Sequence, residues 1–147
     1  MIEKDTIRLL RECDAGIKMG VQSIDDALKY VSAPELKRML EKSRGDHLEI
    51  LSRLQKLLDE YHDGGKEPPV MAKGMSWIKA NVKLSAENSD SAVADFIVDG
   101  CNMGVKSLSG YLNDFEAADE ASKSIAKELI SLEERLGVDI RGYLSAK

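Results

Sequence analysis

The sequence predicts an all-α fold built from four long amphipathic helices. Apolar residues recur at helical spacing along most of the chain, which is the first observation that predicts it. The second is composition: 32% of the 147 residues are charged and only 5% are aromatic, whereas β-rich chains of this size depend on aromatic and β-branched residues. A chain of this length can bury a core without disulfides or a structural metal, so we expect one domain over residues 1–147.

The first helix is predicted over about residues 5–31. Its apolar stripe consists of Leu10, Cys13, Ile17, Ile24, Ala27 and Val31, and Gly20 continues it. Ser32 and Glu35 have the spacing of a capping box, and Pro34 lies in the turn that follows, so a second helix should begin at once. Because this connection is short, helices one and two should pack antiparallel.

The second helix is predicted over about residues 34–62. Its stripe contains Leu36, Leu40, Ser43, His47, Ile50, Leu54, Leu57 and Tyr61. Gly64 and Gly65 end it, because glycine adopts the left-handed cap conformation without strain. A shorter helix over about residues 70–85 should follow, with Trp77 as a candidate partner contact off its apolar face. That face consists of Met71, Met75, Ile78 and Val82.

The third helix is predicted over about residues 90–112 and the fourth over about residues 118–144. Their stripes are Ala94, Val98, Cys101, Val105, Leu108 and Leu112 in the third, and Ile125, Leu129, Leu132, Leu136, Ile140 and Tyr143 in the fourth. The about 27 residues between helices two and three are too many for a tight turn and predict a crossover along the bundle. An internal similarity agrees with two related hairpins, since the segment Cys13 to Lys18 is similar to the segment Cys101 to Lys106.

Three stretches carry a resemblance to a known family: GIKMGVQSIDDAL in helix one, MAKGMSWIKANVKLS in the crossover, and DGCNMGVKSLSGYLNDF in and after helix three. Together they resemble an uncharacterised bacterial family of ferritin-like four-helix bundles, a domain of unknown function, over nearly the whole chain. The resemblance implies a ferritin-like antiparallel four-helix bundle with a short crossover helix between helices two and three. It also implies a small cytosolic protein that forms dimers and has no assigned reaction.

Ferritin-like bundles often hold two iron or manganese ions through a glutamate from each of two helices and a Glu-x-x-His pair from each of the other two. That pair is missing here, since Arg44 stands three residues before His47 and helix four contains no histidine. A degenerate iron or manganese site is the alternative, with Asp14, His47, Asp99 and Glu133 as its ligands.

Asp14 and His47 both fall on inward-facing positions, which leaves two other interpretations open. A buried carboxylate is costly unless it is paired, so the two side chains are expected to contact each other in a structural hydrogen-bond cluster with Asn102 and Glu133. The same contact is also a candidate catalytic acid–base pair.

Two cysteines occupy equivalent stripe positions on helices one and three. The thiols of Cys13 and Cys101 are therefore expected to be close, which makes them candidate redox thiols. The alternative is inert packing, because small buried cysteines mostly pack and no cation on the same face would activate these.

Four glycines, Gly16, Gly20, Gly100 and Gly104, lie inside helices one and three. Each costs about 1 kcal/mol relative to alanine in a helix, so they need a structural reason. A close approach of the two helices is expected, and a small internal pocket lined by Asp14 and Asn102 is the alternative.

Charge and hydropathy exclude two classes of partner. The chain carries 21 Lys plus Arg against 26 Asp plus Glu, a net charge of -5, so it has no overall attraction for nucleic acid or for anionic membranes. Residues 1–10 include four charged side chains, unlike a signal peptide, and no stretch approaches the roughly 20 apolar residues of a membrane span. We therefore expect a cytoplasmic protein with reduced cysteines.

These observations predict a helical bundle that is not an enzyme but an interaction or stress-related structural module. It should form a homodimer or bind a protein partner, and it should need no cofactor. The alternatives are an iron- or manganese-binding carboxylate protein and a thiol redox sensor.

Overall fold

The computed structural model describes residues 4–68 and 89–146. Within these ranges the chain is all-α, as predicted, and forms four helices and a final 3-10 turn. They are α1 (Lys4–Leu28), α2 (Pro34–Glu60), α3 (Ser89–Asp114), α4 (Glu120–Ile140) and the turn Arg141–Tyr143. The predicted crossover helix over residues 70–85, including Met71, Met75 and Trp77, lies outside the described residues.

The predicted stripes supply most of the core, which consists of two apolar clusters stacked along the bundle. Leu58 and Ile97 are buried where the stripes had Leu57 and Val98, which are only partly buried. The first apolar cluster includes Leu10, Cys13, Ile17, Ile50, Leu54, Leu108, Ile125, Leu129 and Leu132. The second apolar cluster includes Ile24, Ala27, Leu36, Leu40, Ala94, Ile97, Cys101, Leu136 and Ile140. Each helix contributes to both clusters, because side chains three and four residues apart share one face over the full length of a helix.

The junction between α1 and α2 differs from the predicted capping box. Ala33 is the N-cap of α2 and has an extended backbone with no side-chain cap, as expected for a residue that precedes proline. The backbone N–H groups of Ser32 and Ala33 instead donate to the carboxylate of Asp90, over 2.7 and 2.9 Å. The capping box of Ser32 and Glu35 was therefore wrong. The N-cap is Ala33, one residue after Ser32, and the carboxylate from α3 binds the two N–H groups that precede the helix.

Contacts between helix ends show which ends lie together. Asp90, which receives the hydrogen bonds at the start of α2, lies at the start of α3. The other two helices are joined in the same way. The side chains of Asp5 and Thr6, at the start of α1, accept hydrogen bonds from the backbone N–H groups of Ala117 and Asp119, just before α4. The starts of α2 and α3 are thus neighbours, and so are the starts of α1 and α4.

Among the described residues, no helix is both long enough and apolar enough to cross a bilayer.

Candidate functional site

His47, on the inward face of α2, is fully buried, with 0% of its surface exposed. Its Nδ1 lies 2.7 Å from the backbone carbonyl oxygen of Ser43, one turn earlier. A carbonyl oxygen can only accept, so this contact is a hydrogen bond when Nδ1 carries a hydrogen. The Ser43 hydroxyl lies 3.4 Å from the same nitrogen. The other ring nitrogen, Nε2, lies 2.6 Å from Oε1 of Glu133 on α4. Both nitrogens of the imidazole are therefore engaged by groups of the protein.

The pair lies in a polar layer between the two apolar clusters, and two glycines make room for it. A Cβ added to Gly20 of α1 would lie 3.1 Å from Nε2 of His47, and one added to Gly104 of α3 would lie 3.4 Å from Oε2 of Glu133. Side chains at these two positions would compete with the pair for space. The polar layer is thus built from all four helices.

The other two interior glycines of the sequence prediction have a different environment. A Cβ added to Gly16 or to Gly100 would meet nothing within 4 Å, and both residues are exposed. The glycines were expected to bring helices one and three close together. Gly20 and Gly104 do face the interior, but the atoms nearest to them belong to α2 and α4. What they face there is the His47–Glu133 pair.

Burial opposes a positive charge on His47, but its partners outweigh that effect. The hydrogen bond to Glu133, the negative charge of Glu133, the Ser43 carbonyl and the charge of Asp46 together raise the pKa of His47 above 6.5. The thiol of Cys101 on α3 neighbours the same carboxylate, and burial followed by the charge of Glu133 raises its pKa. The electrostatics of the layer therefore favour a proton on the imidazole and disfavour a thiolate.

Asp14 belongs to a different cluster, nearer the surface of α1. Only 1% of its surface is exposed, and its Oδ2 accepts from Nζ of Lys18 and from the backbone N–H of Lys66, both over 3.0 Å. Its Oδ1 has no hydrogen-bond partner. Gly65 has φ +80, and a Cβ there would collide with the Asp14 carboxylate. This close approach explains why the chain needs glycine at that point.

The segment 62–68, which we call the post-α2 loop, is held on α1 by ion pairs around Asp14. Arg11 donates to the carboxylate of Asp63, and this hydrogen bond is the first cause of a lowered pKa at Asp63. Lys66 Nζ lies 2.6 Å from Glu12 Oε1, and Lys18 Nζ also lies 3.0 Å from Glu67 Oε1. Ion pairs and the backbone hydrogen bond from Lys66 to Asp14 thus connect the loop to α1.

The structure brings together only two of the four predicted metal ligands. His47 and Glu133 are hydrogen bonded, whereas Asp14 binds Lys18 and Asp99 lies exposed on α3. The expected contact of Asp14 with His47 was wrong, and the structure places Asn102 on the surface. Within residues 4–68 and 89–146, no three His, Cys, Asp or Glu side chains are grouped so that they could hold a metal. Iron or manganese binding stays a prediction.

The sequence contains an indication that Glu133, the partner of His47, faces the interior. Glu133 follows Leu129 by four residues and precedes Leu136 by three, so it falls on the edge of the stripe of α4. A carboxylate on an apolar stripe needs a buried partner. His47 is the histidine on the facing stripe of α2.

Both predicted redox thiols are buried and free. Cys13 lies in the first apolar cluster and Cys101 in the second. Burial, followed by the charges of Glu12 and Asp14, raises the pKa of the Cys13 thiol to about 12. Neither environment activates a thiolate.

An open groove of about 430 Å³ runs between α2 and α4 on the outside of the bundle. Charges of both signs line it: Arg53 bonds Glu128 at 3.0 Å, and Lys42 bonds Asp46 at 3.2 Å. Because these charges neutralise one another, the groove has no clear preference for an anion or a cation.

Compared with known proteins, this chain matches no protein-family model, no curated protein and no solved structure.

Proposed function

We propose that this protein is a non-enzymatic helical bundle of ferritin-like topology, which serves as a structural or protein-interaction module and associates with a second copy of itself. The observation that carries the proposal is the His47–Glu133 pair. At the depth where a ferritin-like bundle would bind metals, both ring nitrogens of the histidine are bonded to protein atoms.

The ferritin-like topology is supported by the neighbouring helix ends. Asp90 joins the starts of α2 and α3, and Thr6 joins the starts of α1 and α4. Arg11 and Asp63 pair near one end of α1 and α2, and Asp25 and Arg44 pair towards the other end, as in an antiparallel hairpin. Two such hairpins with α2 parallel to α3 need a long crossover, which is the ferritin-like arrangement.

The non-enzymatic role is supported by how the interior ionisable groups are used. A general acid or base must come within hydrogen-bond reach of its substrate. His47 is fully buried and saturated by Ser43 and Glu133, and Asp14 is engaged by Lys18 and the post-α2 loop. These groups stabilise the fold, and a module of this kind works through its surface.

Metal content and mass test the proposal together. Protein purified without chelator should contain far less than one iron, manganese or zinc ion per chain by elemental analysis. Sedimentation over a concentration series should give a dimer whose mass is unchanged by EDTA.

Two results would contradict it. One bound metal per chain, lost in His47→Gln but retained in His62→Asn, would replace the proposal with the iron or manganese alternative. A monomer at every concentration would remove self-association. His62 is the matched control because it is the other histidine of the chain and is exposed.

A further inference from the structure

A second open groove, of about 240 Å³, runs along the outside of the bundle between α1 and α2. Its floor is apolar, because Val21 and Leu51 pack against the first apolar cluster and Leu48 lies beside them with 38% of its surface exposed. The groove is lined by Lys18, Val21, Gln22, Asp25, Leu48 and Leu51. The groove between α2 and α4, in contrast, is lined mostly by charged side chains. An apolar floor on the surface of so charged a chain favours a contact with another molecule.

The exposed face of α2 beside this groove has a strip without charge. Gly45, Leu48, Ser52 and Gln55 follow one another at helical spacing, so they share one face, and all four are exposed. Protein interfaces are depleted of charge at their centre and polar at their rim. The strip therefore has the composition of an interface centre.

Ion pairs mark the two ends of the groove. At one end Lys18 bonds Glu67 at 3.0 Å, and at the other Arg44 bonds Asp25 at 2.6 Å. An ammonium group has three donors, and Asp14 and Glu67 take two of those of Lys18. Asp25 accepts from Arg44 through one of its two oxygens. Both ends can therefore still bond a charge on another molecule.

We propose that a second copy of this chain docks in this groove, so that two copies associate through α1 and α2 around a twofold axis beside Gln22 and Leu48. The inference rests on the self-association proposed above and names the face that carries it. A twofold axis perpendicular to the helices sets the two α1 helices antiparallel, so Lys18 of each copy lies opposite Asp25 of the other. The order of charges along the groove is thus complementary to itself.

The size of this face also fits a second copy. α1 and α2 contain 25 and 27 residues, so together they present a surface about 40 Å long and about 20 Å wide. Such a surface is about 800 Å² per copy, which is what a stable interface of standard size buries. A short peptide would leave most of it uncovered.

The competing occupant is the chain's own connection from Pro68 to Ser89. The post-α2 loop, which leads into that connection, lies over α1, where Lys66 bonds Glu12. Burial, followed by the charge of Glu12 and a hydrogen bond to it, raises the pKa of Tyr111 on α3. The end of the loop thus reaches towards α3, and none of its described residues lines the groove.

Sedimentation of two surface variants tests the docking face. Leu48→Glu should raise the dissociation constant of the dimer by about thirtyfold or more, because it buries a carboxylate at the apolar centre of the interface. Val138→Glu is the matched control, since Val138 is an exposed apolar residue on α4, and this variant should dimerise as the wild type does. Circular dichroism and urea unfolding show whether both variants fold.

Cross-linking tests the same face even if Leu48→Glu does not fold. Gln22 is exposed beside the proposed axis, and residues near a twofold axis meet their own copies. Gln22→Cys should therefore give a covalent dimer with a short bis-maleimide reagent, whereas Met103→Cys, at an exposed position on α3, should not. The natural thiols of Cys13 and Cys101 are buried and should react only slowly in the folded chain.

The outcomes separate this inference from self-association itself. If a folded Leu48→Glu variant dimerises as tightly as the wild type, or if dimers of Gln22→Cys do not cross-link, the docking face is wrong while self-association stands. A wild type that is monomeric at every concentration removes both. In that case slow maleimide labelling of Gln22→Cys would mean that residues 69–88 of the same chain cover the groove, and rapid labelling would mean that it is open to a different partner.

Discussion

The imidazole of His47 lies buried at the centre of the bundle. The stripe of α2 places His47 inside the fold, and the structure surrounds it with an acceptor on each side. Its position was predictable because the spacing of apolar residues sets which face of a helix is buried. Of the partners expected for it, Glu133 contacts the ring and Asp14 does not, because both carboxylates fall on inward-facing positions and only the packed structure separates them.

The two glycines of α1 offer a matched test at the residue scale. Gly16→Ala should raise the free energy of unfolding by about 1 kcal/mol, because alanine favours the helix and a Cβ there meets nothing within 4 Å. Gly20→Ala should not show this gain, because its Cβ would lie 3.1 Å from Nε2 of His47 and would displace the ring. Urea unfolding of both variants measures the difference. Equal stabilisation would mean that Gly20 does not border the pair.

At the scale of elements, the helices were easier to predict than their ends. α1 ends at Leu28 rather than near residue 31, and α4 ends at Ile140, where the 3-10 turn begins. The amide donors before α2 are satisfied by Asp90 of another helix. Local patterns predict local caps, so a cap supplied by a distant carboxylate escapes them.

The post-α2 loop gives the prediction that belongs to this scale. Lys18→Met should lower the free energy of unfolding by roughly 1–3 kcal/mol, because it leaves the buried Asp14 carboxylate with the backbone N–H of Lys66 alone. Lys37→Met is the control, since Lys37 pairs with Glu41 and both side chains are more than half exposed. That change should cost no more than about 0.5 kcal/mol.

Urea unfolding of the two lysine variants provides the measurement. If they lose the same amount of stability, the Asp14 cluster is no more than a surface ion pair, and the post-α2 loop is held by something else.

For the whole molecule, the main feature is a core divided by a polar layer. The two apolar clusters hold one cysteine each, Cys13 in the first and Cys101 in the second. Buried thiols of raised pKa react only when the structure opens. Their reactivity therefore reports the integrity of each cluster.

Thiol labelling tests this consequence. Near neutral pH, Cys13 and Cys101 should react with a disulfide reagent on the order of a hundredfold or more slowly in the folded protein than in denaturant. Cys13→Ser and Cys101→Ser assign the two rates. Rapid reaction of either thiol in the native state would contradict the prediction and revive the redox-sensor alternative.

The sequence by itself determined the helical class, the four helices and most of the side chains that form the core, because burial follows the periodicity of apolar residues along each helix. Only the tertiary structure decided which buried polar groups meet: His47 with Glu133, Asp14 with Lys18, and Asp90 with the start of α2. Hydrogen bonds require contact within about 3 Å. That contact depends on the rotation and register of whole helices against one another, which the pattern within a single helix does not specify.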